Sequence, residues 1–307
     1  MRYDGPSPDR RTRAMVTTGG LVVAAVLAAG VALLPRSVPL ADASTPTRSP
    51  VGTSPTAHAP AAGPVPSPTP SRIPVAPPAP DDLPVVTYRP APDGFPADPD
   101  PLDTAPLTQG LRPLRRITAH TAPGGRPLAF LTPQISGYDL VVPITARRAG
   151  WVAVLLPSAN RRIAWVPPGG WHTVALPDQL VVERRTHRLT WLRHGRPVRS
   201  WSVSLGMPGQ VTPLGRTFVL ARTPPAEATF GGVDVLALGA VPEDPAALPA
   251  RLRGAHIGIH SWYHDRELGR DTTNGCVRLT PSAQQRLVDA LPHGTGVVVV
   301  DRLPASR

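Results

Sequence analysis

At residues 273–279 the chain reads Thr273-Asn274-Gly275-Cys276-Val277-Arg278-Leu279, and Cys276 is the only cysteine among its 307 residues. A lone thiol cannot form an intramolecular disulfide, so an unpaired cysteine in an exported protein is either buried and inert or retained because it reacts. Gly275 lets the backbone approach a substrate closely, since glycine has no side chain. The function of the chain therefore depends on what surrounds this cysteine.

His260, sixteen positions before Cys276, is the candidate general base. A thiol nucleophile needs a base to deprotonate it and donors for the oxyanion that forms on the attacked carbonyl. Residues 255–260 predict a strand, and its alternation puts His256 on the same face as His260, so His256 is a competing base. The amides of Gly275 and Cys276 are candidate oxyanion donors. Spacing alone leaves a catalytic pair and two ordinary core residues equally open.

The hydrophobic pattern around this pair predicts a mainly β domain with one short helix. Thr280 and Pro281 are typical of a helix start, and the helix should run to about Leu291. The long Pro/Ala-rich loops within residues 223–253 are expected to form lids or substrate walls. Strands are predicted at Leu180–Arg184, Arg188–Leu192, Val198–Leu205, Thr212–Leu220, Val233–Leu238 and Gly294–Asp301. We assign residues 177–302 to this domain.

Residues 104–176 predict a small β-barrel domain, because short apolar runs recur between turn signals. The pieces Gly150-Trp151-Val152 and Ala164-Trp165-Val166 resemble bacterial SH3-like domains that accompany cell-wall enzymes. A rigid spacer and a ligand-binding module are equally compatible with the pattern. Strands are predicted at Arg116–Ala119, Pro127–Leu131, Asp139–Val142, Gly150–Leu155 and Arg162–Val166.

Residues 36–103 predict a disordered Pro/Ala-rich linker. Twelve of the 35 positions from Pro46 to Pro80 are proline, and such a segment cannot bury enough apolar surface to offset its ordering entropy. An extended tether of this composition would reach on the order of 100 to 200 Å. That reach would suit a protein that works within a cell wall.

The N-terminus predicts export from the cytoplasm. Residues 14–35 hold an uncharged apolar run that is long enough to span a bilayer, and the arginines within residues 1–13 favour a cytoplasmic tail. The length favours a transmembrane anchor over a cleaved signal peptide, although Ala41-Asp42-Ala43 resembles a cleavage site. Either outcome places the protein in the cell envelope, anchored to the cytoplasmic membrane or secreted into the wall.

The formal charge is +11 and all 32 basic residues are arginine, which is typical of a GC-rich genome. No arginine-aromatic platform or recognition helix occurs, so nucleic-acid binding is not predicted. Attraction to an anionic surface such as a cell envelope is the better interpretation. The sequence does not indicate an oligomeric state.

The motif Ile257-Gly258-Ile259-His260-Ser261, followed by residues 273–279, resembles the signature of the L,D-transpeptidases with a YkuD-type catalytic domain, in an actinobacterial-like form. The similarity runs from about Leu180 to Val300. It implies that Cys276 is the nucleophile, that His260 is its base, and that the backbone carbonyl of Ser261 holds the imidazole in the correct tautomer. It also places Arg278 beside the site, where the guanidinium would bind a substrate carboxylate or form a structural ion pair.

Two departures from the family pattern affect the site. The family histidine two residues before the cysteine is Asn274 here, and asparagine can donate a hydrogen bond to an oxyanion but cannot take a proton. In addition, residues 223–248 contain no tyrosine, where some members supply a phenolic donor. Phe230 cannot replace that donor, which leaves Tyr263 as an alternative.

The implied reaction is acyl transfer on the stem peptides of peptidoglycan, giving a 3→3 cross-link, without a metal or an organic cofactor. Three alternatives remain open at this stage. Water as the acceptor would give an L,D-carboxypeptidase. A metal hydrolase would use His256, His260 and His264 with Cys276, although no H-E-x-x-H helix is present. An inactive wall-binding protein would explain Asn274 as degenerated chemistry.

Overall fold

Two large β-sheets and a single α-helix make up the architecture of the part of the chain that is described. The structure is a computed structural model that describes residues 72–88, 91–158, 161–225, 231–239, 257–262 and 264–303. The predicted fold class, mainly β with one short helix, is confirmed.

The first sheet has seven antiparallel strands in the order β3-β2-β8-β7-β6-β1-β9. Its end strands β3 and β9 do not pair with each other within the described residues. Four of the five predicted strands are confirmed, whereas the one predicted at residues 139–142 is broken between β5 and β6. The bounds are β1 (Gln109–Pro113), β2 (Ile117–His120), β3 (Pro127–Leu131), β4 (Gln134–Ile135), β5 (Tyr138–Asp139), β6 (Val142–Arg148), β7 (Trp151–Leu155), β8 (Ile163–Val166) and β9 (Trp171–Ala175).

The second sheet has eight strands in the order β12-β11-β10-β19-β14-β15-β16-β18, and β13 pairs with β17 beside it. The pairs β10–β19, β16–β18 and β13–β17 are parallel. The bounds are β10 (Asp178–Glu183), β11 (Arg188–Arg193), β12 (Arg196–Ser202), β13 (Leu205–Gly206), β14 (Gly215–Thr223), β15 (Val235–Leu238), β16 (Gly258–Ser261), β17 (Asp271–Thr273), β18 (Val277–Leu279) and β19 (Gly296–Val300).

The strand predicted at Val198–Leu205 is wrong as one continuous element. It divides because β12 pairs with β11 up to Ser202, after which Ser204 exchanges backbone hydrogen bonds with Arg278 of β18. The chain thereby leaves the sheet edge and reaches β17 as β13. This crossing brings β13 next to the segment that precedes Cys276.

Helix α1 (Pro281–Ala290) begins and ends as predicted. The Thr280 hydroxyl accepts a hydrogen bond from the Ala283 N–H, and proline occupies the first turn, where its missing N–H is not needed. The helix buries its apolar face against β16. The buried side chains on that face are Ala283, Gln284, Leu287 and Val288.

The prediction that residues 36–103 are a disordered linker is wrong for residues 72–88 and 91–103, which pack on the first sheet. Val86 and Phe95 are each 3% exposed within its core, and Trp151 Nε1 donates to the Pro74 carbonyl oxygen at 2.9 Å. The prediction failed because it rested on average composition, which gives little weight to a few apolar residues. In addition, proline lacks an N–H but its carbonyl oxygen still accepts hydrogen bonds. We call residues 72–103 the strap.

Residues 36–71 and the predicted segments 1–13 and 14–35 lie outside the described residues. Over the residues that are described, no helix is long and apolar enough to cross a membrane.

The two sheets share a core through β14. Phe218 and Leu220 of β14 lie in the hydrophobic cluster of the first sheet, although their strand belongs to the second. At the same place Arg216 Nε donates to Asp98 Oδ2 of the strap at 2.8 Å. The described residues accordingly belong to one compact unit.

Candidate active site

The parallel pair β16–β18 positions the residues singled out by the sequence. The register aligns Ile259 with Val277 and His260 with Arg278. Just before β18 begins, the Cys276 side chain meets the backbone of Gly258 in a hydrogen bond. Because residues paired across neighbouring strands point to the same face, His260 and Arg278 share one face, and the charge of Arg278 reaches both His260 and Cys276.

Thr273 fixes the turn that carries Cys276. Its hydroxyl oxygen accepts a hydrogen bond from the Gly275 N–H at 3.1 Å and donates to the Cys276 carbonyl oxygen at 2.7 Å. Gly275 has a φ of 105°, a backbone conformation that strongly favours glycine. The turn therefore holds the half-buried thiol in a defined place.

His260 is held in one tautomer by its own strand. The side chain is buried, and Nδ1 lies 2.9 Å from the Ser261 carbonyl oxygen. A carbonyl oxygen can only accept, so Nδ1 carries the proton of the neutral ring and Nε2 is the basic nitrogen. The backbone carbonyl of Ser261 is thus the group that orients the imidazole.

Burial lowers the pKa of His260 to about 4. The hydrogen bond to Ser261 opposes this shift, and the positive charge of Arg278 adds to it. The imidazole is therefore neutral at pH 7 and can accept a proton.

Burial raises the pKa of the Cys276 thiol above its ordinary value. A hydrogen bond from the Gly258 backbone and the charge of Arg278 act in the opposite direction. The resting site therefore holds a thiol and a neutral imidazole rather than an ion pair.

Arg278 is anchored on two sides. Its Nη1 donates to Glu267 Oε2 at 3.1 Å, and its guanidinium carbon lies 3.6 Å from the centre of the Trp262 ring. The Trp262 ring also meets the His260 ring edge-on at 6.3 Å. The structural ion pair that the sequence left open is present, and it fixes the cation whose field reaches both His260 and Cys276.

The oxyanion donors differ from the sequence prediction. The Gly275 N–H already donates to the Thr273 hydroxyl, which leaves the Cys276 amide as the candidate donor from the motif. Asn274 is half-buried, and its side chain makes no hydrogen bond to any residue that the structure describes. The competing base His256 and the aromatic residues Phe230 and Tyr263 lie outside the described residues.

The metal-site alternative finds no support in the described residues, where no group of three His, Cys, Asp or Glu side chains could hold an ion. One of its proposed ligands, His256, is not among them. His264 lies directly before the 3₁₀ helix at Asp265–Glu267.

Sequence reasoning missed several residues that build the site. Gln284 of α1 donates from Nε2 to the carbonyl oxygens of Ile259 and Asp234, at 2.9 and 2.8 Å, and so ties β16 to the helix. A glutamine inside the apolar face of the helix was an available signal, because a buried amide needs partners. Glu267 carried no such signal, because its partner Arg278 lies eleven residues further along the chain, beyond β17.

Comparisons with known proteins give one family match. Residues 177–300 match the family model of the YkuD L,D-transpeptidase catalytic domain. A search of the curated proteins found none that matches.

Three solved structures illustrate the similarity. The L,D-transpeptidase from Mycobacterium smegmatis is 16% identical, with 52% of this chain and 82% of that chain covered and a TM-score of 0.35. L,D-transpeptidase 3 from Mycobacterium tuberculosis, in complex with a faropenem-derived adduct, is 18% identical, with 46% and 74% covered and a TM-score of 0.33. The catalytic domain of the E. faecium L,D-transpeptidase is 20% identical, with 41% and 98% covered and a TM-score of 0.30.

Proposed function

We propose that this chain, whose residues 177–300 form an L,D-transpeptidase catalytic domain of the YkuD family, cross-links peptidoglycan stem peptides through a thioester on Cys276. The observation that carries the proposal is the β16–β18 register. It sets His260, with Nδ1 on the Ser261 carbonyl, beside Arg278, and the backbone of Gly258, two residues earlier in the same strand, hydrogen-bonds to the thiol.

The first step forms the acyl-enzyme. Cys276 Sγ attacks the carbonyl carbon of the amide between the third residue of a tetrapeptide stem, a diamino acid, and the terminal D-alanine. His260 Nε2 takes the thiol proton as the S–C bond forms, and it then delivers that proton to the leaving amine as the C–N bond breaks. The Cys276 amide donates to the oxyanion, and the cation of Arg278 stabilises the negative charge that develops.

The second step resolves the thioester. The side-chain amine of a neighbouring stem attacks the carbonyl carbon and loses its proton to His260. The C–S bond then breaks, the sulfur regains a proton, and a 3→3 cross-link is left. Water in place of the amine would release a tripeptide stem, which is the carboxypeptidase alternative.

The remaining sequence expectations form part of the same proposal. Residues 177–302 are the catalytic domain, and residues 104–176 are an SH3-like domain beside it. Residues 14–35 anchor the chain in the cytoplasmic membrane, or act as a signal peptide for secretion into the wall. Both arrangements bring the site to peptidoglycan.

Digestion of isolated muropeptides tests the function. Wild-type protein should release D-alanine from tetrapeptide monomers and form 3→3 dimers, whereas Cys276→Ala should do neither. Tripeptide monomers without dimers would favour the carboxypeptidase. Equal products from wild type and Cys276→Ala would refute the assignment of the nucleophile.

A further inference from the structure

A polar groove of about 650 Å³ lies at one end of the second sheet, outside the residues used in the mechanism. Its walls come from the ends of β10 and β19 and from the segment that begins with β13. We call it the arginine groove. Its charged residues are Arg184, Arg185, His187, Asp271, Asp301 and Arg302.

The groove carries an excess of positive charge. Asp301 pairs with Arg184 at 3.6 Å, and Asp271 pairs with His187 at 2.9 Å. The exposed side chains of Arg185 and Arg302 have no acidic partner within the described residues. Two guanidinium groups are thus available to an anion from solvent.

A long stretch of the sequence that contributes to the groove contains no acidic residues. No Asp or Glu occurs between Glu183 and Glu227, whereas this interval contains eight arginines. Neighbouring carboxylates from that stretch therefore do not reduce the positive potential. The groove favours oxyanions.

The groove shares its wall with the turn that carries Cys276. Strand β13 lines the groove and pairs with β17, aligning Gly206 with Thr273, and the Met207 N–H donates to the Thr273 carbonyl at 2.9 Å. The backbone oxygen of Gln210 would lie 3.6 Å from a Cβ atom on Gly275. One loop therefore separates the groove from the nucleophile.

That loop is rigid. The Gly206 N–H donates to the Thr212 hydroxyl at 3.0 Å, and the Gln210 N–H donates to the Met207 carbonyl at 2.9 Å. A Cβ atom at Gly206 would lie 2.2 Å from the Gln210 carbonyl oxygen, so only glycine fits there. The wall is formed before any ligand arrives, which reduces the ordering cost of binding.

We propose that the arginine groove binds a side carboxylate of the stem peptide that Cys276 processes, a role that rests on the proposed function. Guanidinium groups match carboxylates geometrically and form charge-assisted hydrogen bonds with them. A stem peptide held at the nucleophile has only one loop to cross to reach Arg185 and Arg302. The groove then selects stems by the charge of their carboxylates.

Kinetics with paired substrates test the proposal. Tetrapeptide stems are prepared with the side carboxylates either free or amidated, and D-alanine release is measured. The double variant Arg185→Gln/Arg302→Gln should raise KM for the free-carboxylate stem by about tenfold, with kcat unchanged, and leave the amidated stem unaffected. The matched control is Arg196→Gln/Arg199→Gln, which removes the same charge from the exposed strand β12 and should behave as wild type.

Two further measurements keep the proposal separable from its premise. The rate at which a carbapenem acylates Cys276 should be equal in all variants, which shows that the nucleophile is intact. Equilibrium binding of both stems to Cys276→Ala, with and without the groove substitutions, reports on the groove even if wild type releases no D-alanine. The proposal would be overturned if free and amidated stems bound with equal affinity, or if the two double variants had equal effects. It would also be overturned if a phosphodiester polymer, but not the free stem, displaced a ligand bound in the arginine groove.

Discussion

At the scale of single residues, the site is a neutral thiol and imidazole pair held by backbone contacts. Burial raises the pKa of Cys276 and lowers the pKa of His260. The positive charge of Arg278 opposes the rise for Cys276 and adds to the fall for His260. A buried pair of this kind avoids the cost of two desolvated charges in the resting enzyme. Charge then develops only during attack, where the fixed guanidinium is already in place.

The lowered pKa of His260 predicts a specific acid dependence of activity. The imidazole is protonated only near pH 4, so the acid limb of the kcat/KM profile for D-alanine release should fall near pH 4 instead of near 6.5. An acid limb at the ordinary histidine value would contradict the buried, Ser261-bonded ring.

The same group should affect stability with a defined sign. Between about pH 6.5 and 4 the unfolded chain binds a proton that folded His260 does not, so the free energy of unfolding decreases as pH falls through this window. The loss is on the order of 3 kcal/mol. Urea unfolding of wild type and His260→Gln over this pH range measures the free energy of unfolding. Its dependence on pH should be steep in wild type and shallower in the variant. Parallel curves would show that His260 is not the titrating group.

Thr273 should be a positioning residue for the nucleophile. Thr273→Val removes the hydroxyl that bonds both the Gly275 N–H and the Cys276 carbonyl, leaving two backbone groups without partners at a cost of about 1–3 kcal/mol. We expect kcat for D-alanine release to fall by about tenfold or more, while Thr273→Ser, which keeps the hydroxyl, retains most of it. Equal activity of the two variants would exclude this clamp.

At the scale of elements, α1 and β16 act as a unit through Gln284. Gln284→Met keeps the length of the side chain but removes its hydrogen bonds to Ile259 and Asp234, which should destabilise the fold by about 1–3 kcal/mol. Gln285→Met, on the exposed side of the same helix, is the matched control and should change stability little. Urea unfolding of both variants measures the difference, and equal effects would contradict it.

Elements with strong local signals could be predicted from the sequence, and those decided by distant pairing could not. Helix α1 followed from Thr280, Pro281 and a 3.6-residue apolar face, all of them local features. The break after Ser202 depends on Arg278, more than seventy residues away, and no local pattern contains it. The motif containing Cys276 pointed to the candidate residues, but the hydrogen bond from the Gly275 N–H to Thr273 could be found only from the turn geometry.

At the scale of the whole molecule, the strap fastens the first sheet to the second. Arg216 and Asp98 are 6% and 5% exposed in their side chains, so the ion pair is buried between the strap and β14. The amino-acid composition of the strap predicted a disordered tether, because proline is so frequent in this part of the chain. The order comes from a few anchors, Val86, Phe95 and Asp98, whose partners lie far away in sequence.

Breaking this ion pair should destabilise the whole compact unit. Asp98→Asn removes the carboxylate bonded to the buried Arg216 and leaves only the longer contact with Asp103 at 3.8 Å, which should cost about 3 kcal/mol. Asp100→Asn, an exposed neighbour, should cost little. Thermal unfolding monitored by tryptophan fluorescence compares the two, and an unchanged Tm for Asp98→Asn would show that the strap does not hold the sheets together.

The most direct test of the thioester is mass spectrometry of the acid-quenched reaction with a tetrapeptide stem whose side-chain amine is acetylated, so that it cannot act as acceptor. The account predicts a covalent adduct equal to the stem minus D-alanine, mapped to the peptide that contains Cys276 and absent from Cys276→Ala. Release of D-alanine without an adduct on Cys276, or an adduct on another residue, would contradict it.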